Sequence, residues 1–270
     1  MSSTPRATST LSAGPMLAKV PALTAVFWIV KLLTTGMGES LADFLGERAP
    51  IVLAVGGGLL FIVAMVRQFQ ATEYRAVTYW LAVSMVAVFG TVLADGVRTG
   101  LGASLPVVTG IYAALLAGVL IFWYRSEGTL SVHSITTRRR EAFYWTTVMI
   151  SFALGTAAGD LTAFYLGWGF VPSIIVFGIA MALPWVLFRA GVLAEVAAFW
   201  IAYVLARPLG ASVADWLGKK SGLGYGDGQV TAVALILIVV LVAYLAVSRS
   251  DIQEPVSAPD DDADPVDVAA

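Results

Sequence analysis

The 270-residue sequence contains no cysteine and a single histidine, His133. The first absence excludes disulfides, iron–sulfur clusters and thiolate metal sites, and together they leave soft-metal chemistry almost without ligands. Charge is scarce as well: 13% of residues are Asp, Glu, Lys or Arg, 59% are hydrophobic, and mean hydropathy is +0.84. That balance excludes a soluble globular domain. At roughly 20 apolar residues per crossing, about 240 residues of this kind supply around eight helices and leave no length for a soluble catalytic domain. The formal net charge of −2 hides an asymmetry, because Asp260, Asp261, Asp262, Asp264 and Asp267 crowd the C-terminal end and the body without them is slightly basic.

Apolar runs at about 21–47, 50–67, 74–98, 105–124, 141–166, 171–188, 193–217 and 228–248 predict eight transmembrane helices. Helix is preferred to barrel strand because the runs are continuous instead of alternating. The expected fold class is an all-α, polytopic membrane domain over 19–249. It is flanked by a disordered arm at 1–18, rich in Ser, Thr, Ala and Pro, and a disordered acidic tail at 250–270. The arm lacks the apolar run and cleavage site of a secretory signal, so removal of the first helix is not expected. Arg6, Lys19, Arg67, Arg75, Arg125, Arg138, Arg139, Arg140, Arg189 and Arg249 fall on one side, against Arg48, Arg98, Lys219 and Lys220 on the other. By the positive-inside rule both termini are cytoplasmic. Lys31 and Arg207 remain, and both fall inside predicted helices.

The odd-numbered helices share one pattern: Phe27-Trp28, Gly38, Ala42, Asp43; Tyr79-Trp80, Gly90, Ala94, Asp95; Tyr144-Trp145, Gly155, Gly159, Asp160; Phe199-Trp200, Gly210, Ala214, Asp215. The template [FY]-W-x9-G-x3-[AG]-D recurs four times without a gap. Each unit is a two-helix hairpin, at about 20–70, 74–125, 139–190 and 193–249. An even number of crossings per unit makes the repeats parallel, related by rotation about the membrane normal. The even helices are nearly free of charge and suit lipid, so an inner set of odd helices and an outer set of even ones is expected.

These repeats, together with the segment Lys31-Leu-Leu-Thr-Thr-Gly-Met-Gly-Glu-Ser40, resemble an uncharacterised family of bacterial integral membrane proteins. That family is defined by four tandem two-helix repeats of unknown function, each with a tryptophan. The resemblance covers about 20–249. It implies the eight-helix architecture and a bacterial inner-membrane location, and supplies no activity.

Gly38, Gly90, Gly155 and Gly210, each with a small residue four positions on, are expected to pack helices closely. Trp28, Trp80, Trp145 and Trp200 lie about five residues into each odd helix, where amphipathic rings act as interface anchors. Asp43, Asp95, Asp160 and Asp215 follow fifteen residues later, about 22 Å along the axis and so near the opposite membrane edge. Four converging carboxylates would have to protonate, bind cations or find basic partners. Lys31, Thr35, Glu39 and Asp43 form a polar stripe on the first helix, and Arg207, at the depth of Thr35, could reach Glu39 or Asp43. The third and fifth helices offer hydroxyls there instead: Ser84, Thr91, Thr147, Ser151 and Thr156.

Two motifs are set aside. Gly224-Tyr225-Gly226-Asp227 matches a potassium-filter string but follows Lys219-Lys220 and lacks a Thr-rich approach. Arg138-Arg139-Arg140, beside His133, adjoins a helix end where basic residues set topology and touch anionic lipid, so no nucleic-acid partner is expected. Catalytic motifs are wanting, and neither an enzyme nor a cofactor is expected. The leading expectation is a small-solute transporter in the lipid bilayer. Glu39, Asp43, Asp95, Asp160 and Asp215 are its cation or proton sites, and Lys31 and Arg207 their charge partners. Oxygen-only ligands favour Mn²⁺, Mg²⁺, Na⁺ or H⁺. The alternative is a scaffold or sensor whose charges are structural ion pairs.

Overall fold

The computed structural model describes residues 18–253. Its eight long helices are α1 (Ala25–Arg48), α2 (Val52–Gln70), α3 (Ala76–Leu101), α4 (Leu105–Glu127), α5 (Arg138–Tyr165), α6 (Phe170–Arg189), α7 (Glu195–Gly218) and α8 (Asp227–Ser248), and no strand occurs among the described residues. All but α1 are long and apolar enough to cross a membrane; α1 carries Lys31, Glu39 and Asp43 within its apolar run. Helix ends follow local chemistry. Thr24 and Thr137 accept the backbone N–H of Phe27 and Arg140 at the starts of α1 and α5. Left-handed Gly102 and Gly128 stop α3 and α4.

The odd helices form a closed ring in which α1 packs on α3, α3 on α5, α5 on α7 and α7 on α1. The even helices lie outside, but not as simple hairpin partners. α2 packs chiefly on α3, α4 on α5 and α6 on α7, so each even helix covers the odd helix that follows it. No even helix precedes α1, and α8 takes that place. The outer faces of these helices are apolar, with Ile62, Val107, Ile179 and Ile236 each more than half exposed, as a lipid-facing surface requires.

The repeat glycines set the ring's register. A Cβ on Gly38 would lie 2.5 Å from that of Ala87 on α3 and 2.8 Å from its carbonyl carbon; one on Gly90 would lie 2.7 Å from Phe152 Cβ on α5. One on Gly155 would collide with Arg207 on α7, and one on Gly210 with Thr35 on α1. Ala87, Phe152, Arg207 and Thr35 each stand three residues before the glycine of their own helix. Every odd helix therefore opens the same notch for the same position of its neighbour, and the four contacts close a pseudo-fourfold circle.

The aromatic pairs repeat this logic one layer away. Phe27 packs on Trp80 at 5.5 Å between ring centres, Tyr79 on Trp145 at 5.6 Å, Tyr144 on Trp200 at 6.1 Å and Phe199 on Trp28 at 6.0 Å. This corrects the expectation of interface anchors. Trp80, Trp145 and Trp200 are buried, and Trp28 is partly so, because each ring is enclosed by the aromatic residue of the preceding helix in the circle.

At this tryptophan end the segments flanking α1 and α8 are fastened down. Buried Glu141 accepts from Lys19 Nζ at 2.7 Å and from Gln68 Nε2 at 3.1 Å. Gln253 donates to the carbonyls of Val20 and Pro21, and Asp251 accepts from the Tyr74 hydroxyl. Residues 250–253 of the expected tail thus belong to the ordered body. The rest of the tail, and the arm at 1–17, lie outside the described residues.

Candidate functional site

Arg207 is fully buried in α7 and reaches across the ring to three other helices. Its Nη2 donates to Glu39 Oε2 on α1 at 2.5 Å, to Thr156 Oγ1 on α5 at 2.8 Å and to Thr91 Oγ1 on α3; Nη1 donates to the Thr35 carbonyl at 2.9 Å. Glu39, Thr91 and Thr156 each directly follow a repeat glycine, and the fourth such position is Ala211 on α7 itself. One guanidinium thus occupies the middle of a symmetric layer, meeting Glu39 through Nη2 alone and the Thr35 carbonyl through Nη1. Thr91 also donates to Glu39 Oε2 at 3.3 Å. The sequence pointed to an Arg207–Glu39 encounter; the two threonines complete it.

Toward the aspartate end, carboxylate oxygens of Glu39, Asp43 and Asp215 lie within 4.8 Å of one another. Lys219, just past α7, reaches back with Nζ 2.5 Å from Asp43, 3.9 Å from Asp215 and 3.7 Å from Asp227. Burial opposes its charge, yet the hydrogen bond to Asp43 and the attraction of all three aspartates hold the ammonium above the usual lysine range. Asp160 faces Arg98 of α3 at 3.8 Å, and Asp95 is partly buried at the same end. The repeated aspartates therefore divide: Asp43 and Asp215 meet beside Glu39, and Asp160 turns to a basic neighbour.

Lys31 departs from its expected role. It is buried with Nζ 3.6 Å from the centre of the Tyr203 ring and 4.0 Å from that of Phe152, and it makes no hydrogen bond and no ion pair among the described residues. The reason is spacing: Glu39 lies two turns further along α1 and is already taken by Arg207, while aromatic faces from α5 and α7 flank the amine. Lys219, which the sequence placed only in a loop, was the residue missed; its position four residues after Asp215 was the available signal.

The motifs set aside occupy peripheral places. Gly224 to Gly226 belong to the α7–α8 turn and Asp227 opens α8; the turn is held by the amides of Gly224, Tyr225 and Gly226 on Lys219, Leu217 and Gly218 carbonyls, with Tyr225 exposed. Arg139 and Arg140 pair with Glu127 at 3.1 and 2.9 Å, and His133 bonds Gln253 at 2.8 Å.

A closed ring of four tandem hairpins, apolar outside and charged along its axis, defines a polytopic helical membrane protein built from internal repeats. The Repeat of Unknown Function (DUF347) matches residues 78–129, 143–190 and 198–251, and the chain belongs to that family. The matched stretches cover the second to fourth hairpins; the first, which carries buried Lys31 and Glu39, lies outside them. Comparisons with curated proteins and with solved structures each found no match.

Proposed function

We propose that the protein moves a hard cation, such as manganese or another divalent ion, across the bacterial inner membrane, with the aspartate end as its mouth. The observation that carries this reading is the convergence of Glu39, Asp43 and Asp215 oxygens within 4.8 Å. Three carboxylates without nitrogen or sulfur suit Mn²⁺ or Mg²⁺. With both termini cytoplasmic, as the basic residues favour, this mouth faces outward. The Lys219 ammonium lies against the same oxygens, so an arriving divalent ion would displace a tethered monovalent one. Beneath it, the Arg207–Glu39 pair bars the axis, and passage requires Glu39 to exchange Arg207 for the ion.

The test is flux of Mn²⁺ and Mg²⁺ into liposomes holding the purified protein. Asp43→Asn and Asp215→Asn should each lower the rate roughly tenfold or more, as expected when a charged ligand of a hard ion is neutralised. Absence of flux through the wild type, or unchanged flux through both variants, overturns the reading. A second reading, a scaffold or sensor, is favoured by the bonds Arg207 makes to three helices. It expects these variants to change stability alone.

A further inference from the structure

Buried polar groups continue from the ring's centre toward the tryptophan end, and the cation site uses none of them. Lys31 Nζ lies against the Tyr203 ring, and neither Nζ nor the Tyr203 hydroxyl has a hydrogen-bond partner. One layer further, the hydroxyls of Tyr79 and Tyr144 are bonded to each other at 2.5 Å. The Tyr79 ring touches that of Tyr74, with centres 5.6 Å apart, and the Tyr74 hydroxyl donates to Asp251. Asp251 and Tyr74 line a cavity of about 430 Å³ at that end, together with Arg75 and Arg249. Tyr79, Tyr144 and Tyr203 are each buried. An apolar ring interior would serve packing better, since each unmatched polar atom costs free energy there.

We propose that this series, Asp251, Tyr74, Tyr79, Tyr144 and Tyr203, conducts protons between the tryptophan end and Lys31, and that Lys31 is the proton carrier to which cation movement is coupled. The inference rests on the transport reading and adds its energy source. Lys31 is suited to the task because the aromatic faces hold the ammonium by cation–π attraction while no carboxylate locks it in that form. The flexible stem lets Nζ swing from the ring face to the ring hydroxyl. In discharge, one N–H bond of the ammonium breaks as the Tyr203 oxygen gains that proton and gives its own to Tyr144; Tyr144, Tyr79 and Tyr74 each pass one proton on and the Asp251 carboxylate takes the last, so every tyrosine ends neutral, Asp251 ends protonated and Lys31 ends as the free amine. Side-chain swings of Tyr203, whose hydroxyl has no partner at rest, and of Tyr79, which meets Tyr74 ring to ring, close the two gaps in the series. Recharging comes from the aspartate end, once Glu39 has exchanged Arg207 for the ion, so that each cycle carries one proton from one side of the membrane to the other. Of the charged and titratable groups, Tyr203 on α7 sets its ring against Lys31 and Arg207 on the same helix acts on it by charge; Tyr79 on α3 and Tyr144 on α5 stand in the next layer, and Glu39 two turns along its own helix. α8 offers Asp227 only at the aspartate end. At the tryptophan-end terminus of the relay, burial pushes the Asp251 carboxyl above its ordinary range, against the lowering effect of its hydrogen bond from Tyr74.

The experiment compares two modes in liposomes with Mn²⁺: cation-for-cation exchange without a pH gradient, and accumulation driven by one. Lys31→Met keeps the stem's volume and removes the proton-carrying nitrogen. It should exchange like the wild type while gradient-driven accumulation falls roughly tenfold or more, the scale on which a lost acid–base group acts. Tyr203→Phe keeps the ring beneath the amine and should lower gradient-driven accumulation in the same selective way. If Lys31→Met accumulates like the wild type, the proton role of Lys31 is wrong and the cation reading stands. A wild type that neither exchanges nor accumulates overturns both. Should Lys31→Met not insert, Tyr203→Phe decides: selective loss supports the relay, and full retention overturns it.

Discussion

The α1–α7 side of the ring and the α3–α5 side share one backbone geometry and differ in chemistry. Three residues before the repeat glycine stand Thr35 on α1 and Arg207 on α7, against Ala87 on α3 and Phe152 on α5. Directly after it stand Glu39 and Ala211, against Thr91 and Thr156. Glycine notches and aromatic pairs, equal in all four helices, fix the frame; at these two positions the charges, Arg207 and Glu39, stand on one side only. The α3–α5 side answers with hydroxyls that serve the guanidinium crossing from α7. A repeated frame thus carries a site without fourfold symmetry.

The largest effect should come from breaking the charged side. Arg207→Met leaves Glu39 buried without its partner, and loss of one member of such a pair costs about 3–5 kcal/mol. The double change Arg207→Met with Glu39→Leu removes both charges and should recover most of that loss, because an apolar pair needs no compensation. Thermal unfolding in detergent measures both. A double variant no more stable than the single one would show that the guanidinium's bonds to threonines, not its pairing with Glu39, hold the ring.

A smaller effect separates frame from filling. Gly155→Ala would drive a methyl group into Arg207, 2.5 Å from its Cβ and 3.0 Å from Pro208 Cδ, and overpacking of this kind costs about 1–3 kcal/mol. Gly159→Ala, one turn on, meets nothing closer than 3.9 Å and should stabilise by about 0.5–1 kcal/mol through helix propensity. The same unfolding measurement ranks them. Equal effects at the two positions would remove the notch as the device that sets register.

Much of this frame was legible in the sequence because its causes are local. Apolar runs give helices, and a glycine and an aspartate at a constant interval from an aromatic–Trp pair give parallel repeats. Relations between helices were less legible. The pattern shows that Lys31 and Glu39 share a face, but not that Phe152 and Tyr203 from two other helices close over Lys31, since that depends on register across the ring. Depth along the axis was readable for the tryptophans, whereas their direction was not: an amphipathic ring near a helix end suits a headgroup layer and a neighbouring tyrosine equally. Lys219 escaped for a related reason. It stands beyond the last turn of α7, and only the turn that carries the chain back to α8 brings Asp227 to it.

The finest comparison is between two threonines on the α3–α5 side. Thr91 Oγ1 accepts from Arg207 and has one proton to share between Glu39 and the Ala87 carbonyl, at 3.3 and 3.2 Å. Thr147 Oγ1 is equally buried and has no partner among the described residues. Valine replaces threonine with nearly the same shape, so each substitution isolates one hydroxyl. Thr91→Val withdraws an acceptor from a buried guanidinium and should cost about 1–2 kcal/mol. Thr147→Val removes an unmatched hydroxyl and should be neutral or stabilise by up to about 1 kcal/mol. If unfolding finds the reverse order, the hydroxyl layer around Arg207 is not what anchors the α3–α5 side, and the ring is held there by its glycine notches alone.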